Sequence, residues 1–433
     1  MKAMRTFLQR HLPGRKAEPV QSSIIGQCDA ALAIPLQRRT PSGSASVSER
    51  AAMLRITCPD PTAEDKLRDM HLLSAQKLVR QEKWKELSKL IRKADDARAL
   101  TPGSMSVAEL MAYGARADVV LAVEHALIDG KPARDAPLLE GIEALEHVLA
   151  DHPNDYIIAA IVAQSHIDIG WAWRGNGWDT EVPTRNRDAF EAHFDRASDI
   201  LAPYCASEMR SPLLASTYCA LLGGSDHVAG RVADKYEALI DLNPANPRAM
   251  RAMGNHLLPR WFGSYEALEL EARRTASRTQ DTWGAGGYTW VMFDAIACDD
   301  KACANLDVPF FVEGLRDILA RRCDPYTTNL LAAYCANSIG QAFSGNDEAD
   351  QNRAEIAACA RWIIREHLTE LHPMIWAHAA RGFDNNLRVR SPNRFAASGR
   401  DDAMRIITTL FQREISAGNR IVFTDHGPVA QAG

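Results

Sequence analysis

The chain has 433 residues, with 50 Lys plus Arg against 55 Asp plus Glu for a formal charge of −5, and it is 46% apolar, 24% charged and 7% aromatic. This globular composition excludes collagen-like and wholly disordered chains. No window approaches the roughly 20 uninterrupted apolar residues of a bilayer span, and Met1 to Pro13 lack the apolar core of a secretory signal, so a cytoplasmic protein without a membrane span is expected.

Residues 1–58 are rich in Pro, Ser, Gly and Arg and hold no apolar period, which predicts a disordered basic arm. Residues 1–55 contain nine basic and three acidic side chains, an excess of six, leaving the rest of the chain at −11. An acidic body repels phosphate backbones, so no nucleic acid is expected as a partner. The nine cysteines are odd in number and scattered over apolar faces, the pattern of reduced core residues.

From Asp60 onward the apolar residues recur at spacings of three and four, which predicts helices. An N-terminal helical section spans 59–135, and Ser106-Val107-Ala108-Glu109 has the form of a capping box. In the body, 136–418, stripes are formed by Leu138, Ile142, Leu145 and Leu149; by Ile158, Ile161, Val162, Ser165 and Ile169; by Val228, Val232, Tyr236 and Leu239; by Phe311, Leu315 and Ile318; by Ile356, Ala360, Ile363, Ile364 and Leu371; and by Met404, Ile407, Phe411 and Ile415. Helix starts with a capping side chain ahead of proline are predicted at Asp60-Pro61, Ser211-Pro212, Asn246-Pro247 and Asp324-Pro325. Only Ile421-Val422-Phe423-Thr424 has strand character, as an edge piece or part of a C-terminal tail over 419–433. The fold class expected is all-α.

The recurring unit is an amphipathic helix, a short break containing proline, and a second helix, with breaks at Pro153, Pro244, Pro325 and Pro373. Leu242-Asn243-Pro244-Ala245-Asn246-Pro247, followed by Ala249, Ala252, Met253 and Gly254, resembles the junction of tetratricopeptide repeats. The unequal period and long insertions make the array irregular, and the whole resembles a functionally uncharacterised bacterial family of helical-repeat type. The resemblance implies a concave α-α repeat surface for a protein or peptide partner.

Two tracts concentrate aromatic side chains near glycine. The first is Gly170-Trp171-Ala172-Trp173-Arg174-Gly175-Asn176-Gly177-Trp178. The second joins Asn255-His256-Leu257-Leu258-Pro259-Arg260-Trp261-Phe262 to Trp283, Tyr288 and Trp290. Trp171, Trp173, Arg174, Trp178, His256, Arg260, Trp261, Trp283, Tyr288 and Trp290 are the candidate binding residues, the aromatics as anchors and the arginines as orienting charges. The same aromatics are equally the material of core plugs. As alternatives, His256 as acid or base with Arg260 would make an anionic-substrate pocket, or the chain would be a purely structural module. His166 and Asp168, two apart on one helix, point to different faces and form no dyad. His367-x2-Glu370-x-His372 lacks the four-residue His spacing of a zincin, and Cys298 and Cys303 have no knuckle spacing, so no metal or other cofactor is expected. No nucleophile elbow, P-loop or dinucleotide fingerprint is present, so a non-catalytic role is expected. Arg381, Arg388, Arg390, Arg394 and Arg400 form a last cluster, a solvated stretch or an acidic-partner patch.

Overall fold

The structure, a computed structural model, describes residues 53–127, 132–133, 136, 138–175, 182–224, 232–340, 344–383, 389 and 391–432. It is an all-α helical-repeat fold with 20 α-helices and one small sheet among the described residues. Its contacts divide it into two compact units. One is built on Lys66–Ala249 with Pro259–Gly263. The other is built on Met250–Leu258 and Ser264–Gly433, with the described residues up to Asp65.

The first unit contains α1 (Ala63–Arg80, from Lys66 onward), α2 (Trp84–Asp96), α3 (Val107–Ala126), α4 (Glu140–Asp151), α5 (Tyr156–Arg174), α6 (Thr184–Leu201), α7 (Ala206–Met209), α8 (Pro212–Leu221) and α9 (Val232–Leu242). Helix α5 is its pillar. The sequence marks a stripe on α5, but every residue from Tyr156 to Ala163 is buried, and α2, α3, α4, α6 and α8 pack around it. An apolar run enclosed all round has no solvent face along that stretch, and the helix reaches partial exposure only beyond it, at residues such as Trp171 and Arg174. Its start is fixed by Asp155, whose carboxylate accepts from Ile157 N and Ile158 N and is also reached by Ser88 Oγ. Asp95 does the same for α8, accepting from Ser211 Oγ and Leu213 N (2.9 Å). Gly114 of α3 lies against Leu72: a β-carbon there would come within 2.4 Å of the Leu72 carbonyl oxygen. The close approach lets Asp118 accept from both Gln76 and Arg80 of α1.

Helix α10 (Pro247–His256) begins in the first unit and continues in the second. The second unit then contains α11 (Tyr265–Arg278), α12 (Gln280–Trp283), α13 (Gly286–Cys298), α14 (Asp300–Ala304), α15 (Val308–Arg321), α16 (Pro325–Ala333), a π-helical turn (Tyr334–Ile339), α17 (Asp347–His367), α18 (Pro373–Ala379), α19 (Pro392–Leu410) and α20 (Gln412–Ser416). Its pillar is α13, buried from Gly286 to Phe293 and flanked by α11 and α15. Gly254 of α10 meets α13 so closely that a β-carbon would stand 1.9 Å from the Val291 carbonyl oxygen. Gly254 is the last of the small residues Ala249, Ala252 and Gly254 that the sequence shows.

Three of the four predicted proline-linked caps form. Ser211 accepts from Leu214 N, Asn246 from Arg248 N and Asp324 from Thr327 N. The fourth is displaced. The Asp60-Pro61 bond is cis, and α1 is capped by Thr62, whose Oγ1 accepts from Asp65 N while the Asp65 carboxylate accepts from Thr62 N. Two expectations at the ends of the chain are corrected. Leu54–Arg55, inside the segment expected to be a disordered arm, forms β1. Ile421–Thr424, expected as an edge piece or part of the tail, belongs to β2 (Asn419–Thr424), the centre of a three-stranded sheet, parallel to β1 and antiparallel to β3 (Gly427–Ala432). The pairing follows from burial: Leu54 stands opposite Ile421, both are inside, and Phe423 packs edge-on against Phe411. Among the described residues no helix is long and apolar enough to cross a membrane.

Candidate functional site

The first aromatic tract caps the C-terminal end of α5 against α6. Trp171 is half-buried, with its indole edge-on to Phe190 (5.1 Å between centroids) and Phe194 (5.9 Å). The Arg174 guanidinium lies 5.8 Å from the Trp171 ring centroid, at cation–π range. Trp173 turns inward and is 6% exposed, with Arg185 over its outer face at 5.3 Å and its carbonyl accepting from Asn186 Nδ2 at 2.7 Å. Glycine makes this corner possible. A β-carbon at Gly223 would meet Trp171 at 2.7 Å, and one at Gly224 would meet Phe194 at 2.1 Å. Trp178 lies outside the described residues. So the tract contributes Trp171 and Arg174 to a half-exposed corner, while Trp173 belongs to the interior.

Behind this corner lies a polar network that the sequence did not reveal. His166 of α5 and His193 of α6 are both buried, with Nδ1 atoms 2.8 Å apart. His166 Nε2 lies 3.0 Å from Glu146 Oε1 of α4, and Arg196 of α6 grips the same carboxylate through Nε (2.7 Å) and Nη2 (2.6 Å). Facing a carboxylate, His166 Nε2 donates. In neutral imidazoles His193 Nδ1 then donates to His166 Nδ1. Burial, with His166 as neighbour, pushes His193 down to about 3. Burial also lowers His166, against the opposing pull of Glu146. For Glu146 burial acts upward, but hydrogen bonds and charge from Arg196 and His166 overcome it and bring the carboxyl to about 2. Asp168, as the spacing predicts, faces elsewhere: it accepts from Arg116 Nε at 2.6 Å and from Gln164 Nε2 at 3.0 Å.

The second aromatic tract is divided. Arg260 is exposed and Trp261 half-buried, 5.9 Å from Phe262, within the Pro259–Gly263 segment of the first unit. His256 belongs to the second unit, where burial takes its imidazole down to about 4. As surface anchors, Trp283, Tyr288 and Trp290 are corrected by the structure: at 2%, 0% and 2% exposure they are core. Trp283 and Trp290 meet edge to face at 5.8 Å, Trp290 continues onto Phe293, and Phe293 stacks on Tyr334 at 3.8 Å. Tyr288 donates its hydroxyl hydrogen to Glu269 at 2.8 Å and accepts from Asp307 N. The glycines flanking these residues, Gly284 and Gly286, give room for α15 (Val308–Arg321), so the tract is a packing joint.

The same region holds an ion pair absent from the expected residues. Arg251 of α10 binds Asp294 of α13 through two bonds of 2.7 and 2.8 Å, with its guanidinium 4.7 Å from the Phe293 centroid. Of the residues in the tract His367 to His372, His372 pairs with Glu370 at 2.8 Å, while His367 reaches Cys323. Cys298 and Cys303 donate to different carbonyls, those of Ala295 and Ala349. The described residues contain no group of three or more His, Cys, Asp or Glu placed to hold a metal ion. Of the terminal arginine cluster, Arg388 and Arg390 lie outside the described residues. No family model, curated protein or solved structure matches this chain.

Proposed function

We propose that this chain is a non-catalytic, tetratricopeptide-like helical scaffold that holds a protein or peptide partner, with the α5 and α6 corner as its contact. The supporting observation is the half-exposed Trp171, backed by Phe190 and Phe194 and joined by Arg174. A rigid aromatic anchor beside an orienting cation is the composition of a binding hot spot, and the arginine favours a partner segment carrying carboxylates. The test is selection of displayed peptides on the whole chain, followed by titration against Arg174→Glu. Acidic peptides should emerge that bind the parent and lose at least about tenfold in affinity with the variant, equivalent to about 1.4 kcal/mol, while the melting temperature stays nearly unchanged. Peptides that bind both proteins equally would place the contact elsewhere.

A further inference from the structure

The three-residue connection between α15 and α16 carries an exposed thiol with an imidazole beside it. Arg322 N donates to Ile318 O at 2.8 Å and closes α15. Asp324 opens α16, accepting from Thr327 N at 2.9 Å and Thr327 Oγ1 at 2.7 Å, and Arg322 Nε reaches the same carboxylate at 3.3 Å. Cys323 is therefore pinned from both sides while remaining exposed. Its Sγ lies 3.4 Å from Nδ1 of His367, the last residue of α17. The imidazole is set edge-on against Trp362, 5.8 Å between centroids and 81° between planes, and Arg316 lies over that indole at 4.7 Å.

The other thiols differ. Burial pushes Cys219 up to about 12 and Cys303 up to about 11, which keeps them protonated. Cys205, the other exposed thiol among the described residues, meets the Ser207 hydroxyl at 3.1 Å, a contact that draws its thiol down but supplies no base. A nucleophilic cysteine needs access, a base within hydrogen-bond reach and a group that orients the base. Cys323, His367 and Trp362 supply these in turn.

We propose that Cys323 and His367 form a thiol–imidazole pair that accepts a small disulfide, making Cys323 a site of mixed-disulfide modification. His367 Nδ1 takes the thiol proton, and the Cys323 sulfur attacks one sulfur of the incoming disulfide. A new S–S bond forms as the old one breaks, and the departing thiolate takes the proton back from the imidazolium. One disulfide is exchanged for another, so no oxidant beyond the disulfide is consumed. This site is separate from the proposed partner contact and does not depend on it.

The test uses the whole chain with oxidised glutathione, quantifying the glutathionyl adduct at each cysteine by peptide mapping over a series of pH values. Cys323 should be modified, and His367→Gln should slow it by roughly tenfold at neutral pH and move its pH dependence to more alkaline values, the loss expected when an oriented base is removed. The buried Cys303 and Cys335 of the same unit, left unmodified in parent and variant, report that the variant is folded. An unmodified Cys323, or a rate and pH profile that His367→Gln leaves alone while Cys303 and Cys335 stay protected, would overturn the proposal.

Discussion

Acidification tests the buried imidazole network of the first unit most directly. His193 sits at about 3 in the folded chain, against about 6.5 for an exposed imidazole. The unfolded chain therefore takes up a proton as the pH falls through about 6.5, while the folded chain does not until about 3. The stabilisation is complete above the unfolded value and is lost as the pH drops between the two. Each pH unit is worth about 1.4 kcal/mol, so at pH of about 4.5 the loss from His193 alone approaches roughly 2.7 kcal/mol. His166 is lowered as well and acts in the same direction. Glu146, held at about 2, contributes stability that is present above the ordinary carboxyl range and lost only as the pH falls towards 2. The interval from about 6.5 to 4.5 therefore separates imidazoles from carboxylate. His193→Gln removes the titrating group while keeping a side chain able to hydrogen-bond. Hydrogen exchange over α5 and α6, corrected for intrinsic rates, should show protection falling over this interval in the parent. The fall should be about a hundredfold smaller in the variant, the equivalent of two pKa units. Equal losses in parent and variant would show that the His166–His193 contact is not what resists protonation.

Two packing predictions follow from the second unit. Gly254→Ala drives a β-carbon into the Val291 carbonyl, a backbone atom that cannot move without separating α10 and α13; the cost expected is about 3 kcal/mol, read as a lower denaturation midpoint, and an unchanged midpoint would refute the close approach. Trp290→Ala opens a cavity among Trp283, Phe293 and their neighbours and should cost about 3–5 kcal/mol, whereas a small loss would return Trp290 to the surface role that its sequence context suggested.

What was legible in the sequence was what is decided locally. A side-chain oxygen ahead of proline can cap the next turn by local geometry alone, as Ser211, Asn246 and Asp324 do, whereas after Asp60-Pro61 the cap passes to Thr62. Helical periods were legible for the same reason. Burial was not, because it is set by neighbours. The stripe on α5 understated a helix packed against five others, and tryptophan beside glycine had the same appearance at Trp171, which is half-exposed, and at Trp290, which is core. Contacts across long separations were also hidden. His166 and His193 are 27 residues apart and meet only through the register of α5 and α6. Cys323 meets His367 across 44 residues. Leu54 pairs with Ile421 from the far end of the sequence.

The two pillars share a device that explains how helices so uniformly apolar hold one orientation. A helical stretch buried on every side, as Tyr156–Ala163 and Gly286–Phe293 are, gains little from one rotation over another, since each buries nearly the same area. Each pillar interrupts its apolar surface with one internal acid, Asp168 in α5 and Asp294 in α13. Each acid meets an arginine from an adjoining helix of its own unit, Arg116 at 2.6 Å and Arg251 at 2.7 Å. Ion pairs of this kind add little net stability, but a partly buried charge left without its partner is destabilising. A rotated or shifted pillar would incur that cost, and the native register does not. In α5 the register fixed by Asp168 also sets the positions of His166 and Trp171 on either side of it. The ion pair therefore aligns the buried network and the exposed corner, although it belongs to neither.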